Sequence, residues 1–259
     1  MKLVSLNLWG GRQDSILFDY LQKESVTADI FCFQEVFSAV SGPKKFQKAH
    51  PYLFSELKQL LPDFEAIFSP AYKGWMDMKK VDFNVFQGQA IFVKKPWNIE
   101  DSGFVYIFGN ESTEMQADFK NEPKIMQYAL LKNAGKQLLI GNPHGCWFPG
   151  DKSDSEDRLN QSRLIVNLIK NYNCPKVVVG DFNLELETKS IKILEKELRN
   201  LIKEFGITNT RNEISWHKYH NRQSYADFAF VSSDIKVENF QVPYNLVSDH
   251  LPLHLEFSS

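Results

Sequence analysis

Apolar residues gather along this chain in short runs, and many of the runs stop on a polar side chain. Residues 3–8 are apolar except for Ser5 and Asn7 and end at Trp9-Gly10-Gly11, which predicts a strand with Asn7 at its end. Residues 15–24 place Ile16, Leu17, Tyr20 and Leu21 at helical spacing, with Asp14 or Ser15 as the cap. Residues 28–33 read as a second buried strand that runs into Gln34-Glu35-Val36, so a carboxylate closes it. A helix starts around Pro51 and carries Tyr52, Leu53, Leu57, Leu60 and Leu61 on one face up to Pro62. Strands follow at 64–68, 88–94, 103–108, 125–132 and 136–141, all rich in β-branched or aromatic residues.

The second half repeats the theme. Helical spacing returns over 157–172, with Ile165, Val166, Ile169 and Tyr172 inward. Val177-Val178-Val179 predicts a strand buried on both faces, and it breaks off at Gly180-Asp181-Phe182-Asn183. Side chains two residues apart on a strand share a face, so Asp181 and Asn183 present a carboxylate and an amide together. That pairing suits metal-assisted or water-activating chemistry, although Asp and Asn also close strands as ordinary turn residues. Residues 188–205 read as one amphipathic helix with Ile191, Leu194, Leu198, Leu201, Ile202 and Phe205 in a stripe, ended by Gly206. Strands close the chain at 225–231, 236–242 and 253–257, with Asp227 inside the first and Asp249-His250 leading into the last. His254 alternates with leucines and is expected to face outward.

Two loops carry unusual chemistry. Residues 72–80 interleave Trp75, Met76 and Met78 with three lysines, which suits a substrate loop with Trp75 as the contact, or a tryptophan packed on the core with its lysines solvated. His144, in Asn-Pro-His-Gly, heads a long loop containing an acidic run, Asp151, Asp154, Glu156 and Asp157, relieved by Lys152 and Arg158.

Composition narrows the function classes. No Pro/Gly/Ser-rich linker divides the 259 residues, so one domain over 1–259 is expected, and 43% hydrophobic residues supply its core. With 30 basic against 32 acidic residues, no global field draws in nucleic acid or an anionic membrane, and the acidic run argues against long non-specific duplex binding. The three cysteines are widely spaced and suggest neither disulfides nor a thiolate metal site. No run approaches the roughly 18–20 apolar residues that span a bilayer, and the first residues are strand-like without a secretory pattern. A cytoplasmic monomer is the expectation.

The polar strand ends form a set: Asn7, Glu35, His144, Asp181, Asn183, Asp227, Asp249 and His250. Oxygen and imidazole donors without thiolates suit a hard cation, Mg²⁺ or Mn²⁺, better than zinc. In order, Leu-Asn-Leu-Trp-Gly, Phe-Gln-Glu-Val, Asn-Pro-His-Gly, Val-Gly-Asp-Phe-Asn, Ala-Asp-Phe-Ala-Phe-Val and Ser-Asp-His-Leu-Pro-Leu resemble the endonuclease/exonuclease/phosphatase superfamily, from residue 3 to residue 257. The resemblance implies a four-layer α/β sandwich, two packed mixed β-sheets flanked by helices, with the site at one edge. It also implies a divalent-metal-dependent hydrolase of phosphoester bonds, acting by in-line attack of water at phosphorus.

Carried over by position, the resemblance gives Glu35 the main metal carboxylate, with Asn7 and Asp249 close to the ion. Asp181 would orient or deprotonate water, Asn183 would hold a phosphate oxygen, and His144 and the His250–Asp227 pair would bond the phosphoryl group. Asp181 and His250 are rivals for the base. Some members partner the first histidine with an acid or use a tyrosine, and residues 65–130 show no clear equivalent. A sphingomyelinase-like lipid headgroup phosphodiesterase, suggested slightly by the Leu-Asn-Leu-Trp-Gly opening, and an inactive phosphate-binding module are the alternatives.

Overall fold

The computed structural model describes residues 1–219 and 223–259. In chain order the strands are β1 (Lys2–Asn7), β2 (Ile30–Ala39), β3 (Phe64–Lys73), β4 (Trp75–Met76), β5 (Lys79–Lys80), β6 (Val85–Lys94), β7 (Asn98–Phe108), β8 (Lys124–Asn133), β9 (Lys136–Pro143), β10 (Lys176–Asp181), β11 (Arg199–Asn200), β12 (Asp227–Val231), β13 (Lys236–Gln241) and β14 (Leu253–Ser258). The helices are α1 (Ser15–Ser25), α2 (Leu53–Leu60), α3 (Glu156–Ile169), α4 (Lys189–Glu195), α5 (Leu201–Glu204) and α6 (Glu213–Tyr219).

Among the described residues, two six-stranded sheets form, in the orders β13-β14-β1-β2-β6-β3 and β11-β12-β10-β9-β8-β7. Each is mixed: β1 and β2 run parallel, as do β9 and β10, and the remaining neighbours are antiparallel.

The two-residue period of a strand sorts the first sheet's side chains into two cores. Leu3, Ile30, Cys32, Ile91 and Val93 face the second sheet and meet Met126, Ala129, Leu139 and Val178. Val4, Leu6, Phe31, Phe33, Ala90 and Phe92 point the other way, onto Leu17 and Leu21 of α1 and Leu53 and Leu57 of α2. Ile165 and Ile169 of α3 and Ile191 and Leu194 of α4 pack on the second sheet. The layers are thus helix, sheet, sheet, helix, the α/β sandwich that the family resemblance implied. Strands buried on both faces explain the near-continuous apolar runs.

Several sequence expectations change. Residues 188–205 do not form one helix. Arg199 and Asn200 leave helical geometry to pair with Val231 and Phe230 at the sheet edge, and Asn200 Oδ1 then caps α5 by accepting from the Ile202 amide at 3.1 Å. The apolar stripe encoded burial rather than helix continuity: Ile191, Leu194, Leu201 and Ile202 are buried on either side of the break, while Phe205 is 41% exposed. At α1, Asp14 gives no side-chain capping bond, and Ile16 is exposed, leaving Leu17 and Leu21 to anchor the helix. Glu35 does not close β2, which continues to Ala39. The 72–80 loop is the end of β3 plus a β4–β5 hairpin. His254 does turn away from the inter-sheet core, but it is covered by α1, with Nε2 2.6 Å from the Tyr20 hydroxyl.

Candidate active site

Three local devices bring the polar residues to one rim. The first is a bulge in β2. Phe33 pairs with Ala90 and Val36 with Gly88, so one extra residue stands on the β2 side, and Glu35 at φ 53° is turned out of the ladder. The second is the absence of a side chain at Gly180. A Cβ there would lie 2.4 Å from the Pro143 carbonyl oxygen. Glycine therefore lets the end of β9 close on β10, and His144 pairs with Asp181 one residue beyond the strand. The third is a staple at the chain's end. Ser248 Oγ donates to the Asn7 carbonyl at 2.7 Å, and Asn212 Nδ2 donates to the Ser248 carbonyl at 2.9 Å, which holds Asp249 and His250 against β1.

The result is a cleft of about 370 Å³ lined by Glu35, His144, Asp181, Asn183, Asp249 and His250 together with Trp9, Tyr72, Trp147, Lys124, Lys152 and Arg211. Asn7, fully buried, lies beneath it: Nδ2 donates to Glu35 Oε1 and to Asp181 Oδ2, each at 3.1 Å, while Oδ1 accepts from the Trp9 amide. Asp181 Oδ1 accepts from the Asn183 amide at 2.9 Å. His250 Nδ1 is 2.8 Å from Asp227 Oδ2, which aims Nε2 at Asp181 Oδ2, 3.7 Å away. His144 Nε2 lies 3.9 Å from both Glu35 Oε1 and Asp181 Oδ2.

Burial dominates the electrostatics. It pushes the Glu35 carboxyl above its ordinary range, and the nearby charge of Asp249 adds to the effect. Asp227 is pushed up to about 8 by burial, and His250 down to about 4 by burial and by Arg211, so both shifts favour a neutral pair. Burial, then Lys124 and the other nearby positive charges, hold His144 well below the usual imidazole value. Lys152 is lowered to about 8 by burial and by Arg211.

All the expected site residues except Trp75 meet here. Trp75 stands edge-on to Phe119 with centroids 5.3 Å apart; Phe119 lines the cleft, as do Asp77 and Met78 from the same hairpin. Several contributors carried little sequence signal. Tyr72 is hydrogen-bonded to Glu122, Glu122 pairs with Lys124 at 2.9 Å, and Lys124 Nζ lies 3.4 Å from His144 Nε2. They place an acid and a tyrosine on the His144 side of the cleft, with Lys124 rather than either of them beside the imidazole. Lys152 was hidden inside the acidic run, and Arg211 in a segment without periodicity; Arg211 touches His250 Nε2 and lies 3.6 Å from Asp249 Oδ2.

Two carboxylate groupings could hold a cation. Asp181, Asp227 and His250 offer buried ligand atoms within 4.8 Å of one another. Asp227 is already engaged with His250 Nδ1, however, and the Arg211 guanidinium covers Nε2. Glu35 and Asp249 fit better: they face one cleft, repel each other, and are oxygen donors of the kind a hard cation takes, with Asn7 fixing Glu35.

A model of the Endonuclease/Exonuclease/phosphatase family matches residues 4–250. No curated protein matches the sequence. Among solved structures, a Bacteroides thetaiotaomicron mannosyl-6-phosphatase is similar over 100% of both chains, with a TM-score of 0.72 and 19% identity. The human Nocturnin catalytic domain with bound sulfate anion is similar over 100% of this chain and 93% of that one, with a TM-score of 0.66 and 21% identity. A D. rerio TDP2 humanised by mutation is similar over 100% of this chain and 99% of that one, with a TM-score of 0.69 and 13% identity. At these identities the likeness is one of fold.

Proposed function

This chain belongs to the Endonuclease/Exonuclease/phosphatase family, whose members act on phosphoester bonds, and from that premise we propose that it is a hydrolase dependent on Mg²⁺ or Mn²⁺. The observation that carries the reading is the convergence of Glu35, Asp181, Asn183, Asp249 and both histidines on one cleft, from the β2 bulge, the ends of β9 and β10 and the loop before β14. Glu35 and Asp249 would hold the cation, and Asn7 would orient Glu35. The bound cation would neutralise charge on the phosphoryl oxygens and lower the cost of charge build-up in the transition state.

The protein's own groups do the rest. Asp181 is the better placed of the two rival bases: its Oδ2 faces the cleft between the two histidines, whereas His250 Nε2 is covered by Arg211. The Asn7 and Asn183 donors hold that carboxylate in one orientation, so a water bonded to Oδ2 is directed rather than free to tumble. His144, beside Lys124, stands where it can donate to the phosphoryl oxygens as negative charge grows, and His250, held by Asp227, would do the same through Nε2 once the Arg211 guanidinium moves off it onto the phosphoryl group. Asn183 adds an amide whose Nδ2 is fixed on the Gly145 carbonyl at 3.1 Å, and its Oδ1 receives the Lys152 ammonium.

The lipid-headgroup alternative draws support from Met78, which lines the cleft and is 54% exposed, so phospholipid belongs in the test. The test is a substrate panel of p-nitrophenyl phosphate, bis(p-nitrophenyl) phosphate, DNA, RNA, sugar phosphates and sphingomyelin vesicles, run with Mg²⁺ and with Mn²⁺ against chelator. Metal-stimulated release from at least one class is expected, mostly lost in Glu35→Ala at the same metal concentration. A panel with no metal-stimulated hydrolysis would revive the inactive phosphate-binding module.

A further inference from the structure

The cations of the cleft are not equivalent. Arg12 pairs with Asp77, Lys124 with Glu122, and Arg211 lies 3.6 Å from Asp249. Lys152 is 5% exposed and, among the described residues, forms no ion pair; its ammonium donates to the neutral Oδ1 of Asn183. An ammonium carries three N–H donors, and although Asp181 and Asp227 attract this one from a distance, burial and Arg211 still lower its pKa to about 8, so its position calls for a reason.

The surrounding loop is built to hold it there. Arg158, with 0% exposure, binds the loop's carbonyls from both sides of Lys152: Cys146 at 3.2 Å, Trp147 at 3.2 Å, Ser153 at 2.7 Å, and Pro149. The Lys152 carbonyl accepts from the Glu185 amide at 3.0 Å. Lys152 itself takes a left-handed φ of 57°, an uncommon conformation for a lysine, while the neighbouring Asp151 stays exposed and bonds Ser153. An acidic loop thereby turns its lysine inward, toward the Asn183 side of the cleft and close enough to Arg211 for the two charges to repel.

Asp249 offsets Arg211 only in part at 3.6 Å, and Asp181 and Asp227 act on Lys152 without a salt-bridge contact, so an anion entering the cleft would meet both cations. A phosphomonoester carries close to two negative charges at neutral pH, whereas a diester carries one and has lost a free oxygen to its second substituent. We propose that Lys152, with Arg211, is a specificity-determining seat for the non-bridging oxygens of a terminal phosphoryl group and selects phosphomonoester dianions over phosphodiester monoanions. The inference rests on the phosphoester-hydrolase reading above and deepens it.

The test compares p-nitrophenyl phosphate with bis(p-nitrophenyl) phosphate, which share a leaving group, on the full chain with Mg²⁺. Wild type should favour the monoester, and Lys152→Met should lower monoester kcat/KM about tenfold more than diester kcat/KM, with Lys152→Arg recovering part of the ratio. Calorimetric titration with inorganic phosphate should show about tenfold weaker binding in Lys152→Met. Lys152→Gln provides a second uncharged variant should the methionine form fail to give a cooperative melt. Equal losses on the two esters, a wild-type preference for the diester, or phosphate affinity unchanged in Lys152→Met would each overturn the proposal. If wild type hydrolyses neither ester with Mg²⁺ or Mn²⁺ and no other member of the panel responds, the hydrolase reading fails separately, and the phosphate titration still decides whether Lys152 seats the anion.

Discussion

Asp181 is the residue on which the geometry converges, with Asn7, Asn183, His144 and His250 all within hydrogen-bonding or near-contact distance. Asp181→Asn keeps the shape and removes the proton acceptor, so turnover should fall by about 10²–10⁴-fold. Mn²⁺ affinity in that variant should stay near wild type, because Glu35 and Asp249 remain. Comparable metal affinity with lost turnover is the pattern to measure; lost affinity would move Asp181 into the metal site. His250→Ala should also lose most turnover without unfolding, as a thermal melt would check. Arg158→Met removes a guanidinium that satisfies four carbonyls and should destabilise the fold by about 2–4 kcal/mol in urea titration, since each stranded acceptor is costly. At this scale the sequence was legible where a polar residue interrupts a buried strand end: such a carboxylate has no ordinary place in a core. Lys152 and Arg211 were illegible because a cation in a loop looks solvated until the fold shows which way it points.

Elements carry a different kind of information. The β2 bulge and the bare Gly180 backbone set the positions of Glu35 and of His144 against Asp181, and neither is visible in hydrophobic periodicity. Gly180→Ala should push the ends of β9 and β10 apart, costing about 1–3 kcal/mol by overpacking and lowering turnover together with stability. Periodicity read burial well over 188–205 but could not show the switch from helix to edge strand at Arg199, because the stripe on a helix and the buried side of a bent segment use the same residues.

His254 shows the same limit. It was legible as facing away from the inter-sheet core, but not as lying under α1 beside Tyr20, with Glu24, Lys2 and Glu256 around it. Burial lowers its pKa below 6.5. The neutral ring is therefore favoured in the fold, while the unfolded chain takes up a proton first as pH falls. Its stabilising contribution is present above 6.5 and is lost as pH drops toward the folded value. Urea titrations at several pH values should show wild type losing more stability than His254→Gln over that window. Parallel curves would remove His254 as the cause.

At the scale of the whole molecule, two sheets that face each other through an apolar core also bring strand ends, the β2 bulge and the loop before β14 to one rim, so residues from position 7 to position 250 share one cleft. The ordered motifs made the sandwich legible through the family they resemble, and strands buried on both faces are consistent with helices outside them. They did not show the cleft's walls, which come from loops whose composition encodes no register. The central claim is that this rim is a metal-assisted phosphoester-hydrolysing site with Glu35 as its main carboxylate. Its most direct test is a titration of Mn²⁺ into metal-stripped wild type and Glu35→Ala, following hydrolysis of the best ester of the panel. A saturable rise from near zero in wild type, with half-saturation in Glu35→Ala shifted at least about tenfold to higher Mn²⁺, is the expected result. Full activity in the stripped protein, or superimposable curves for the two proteins, would contradict it.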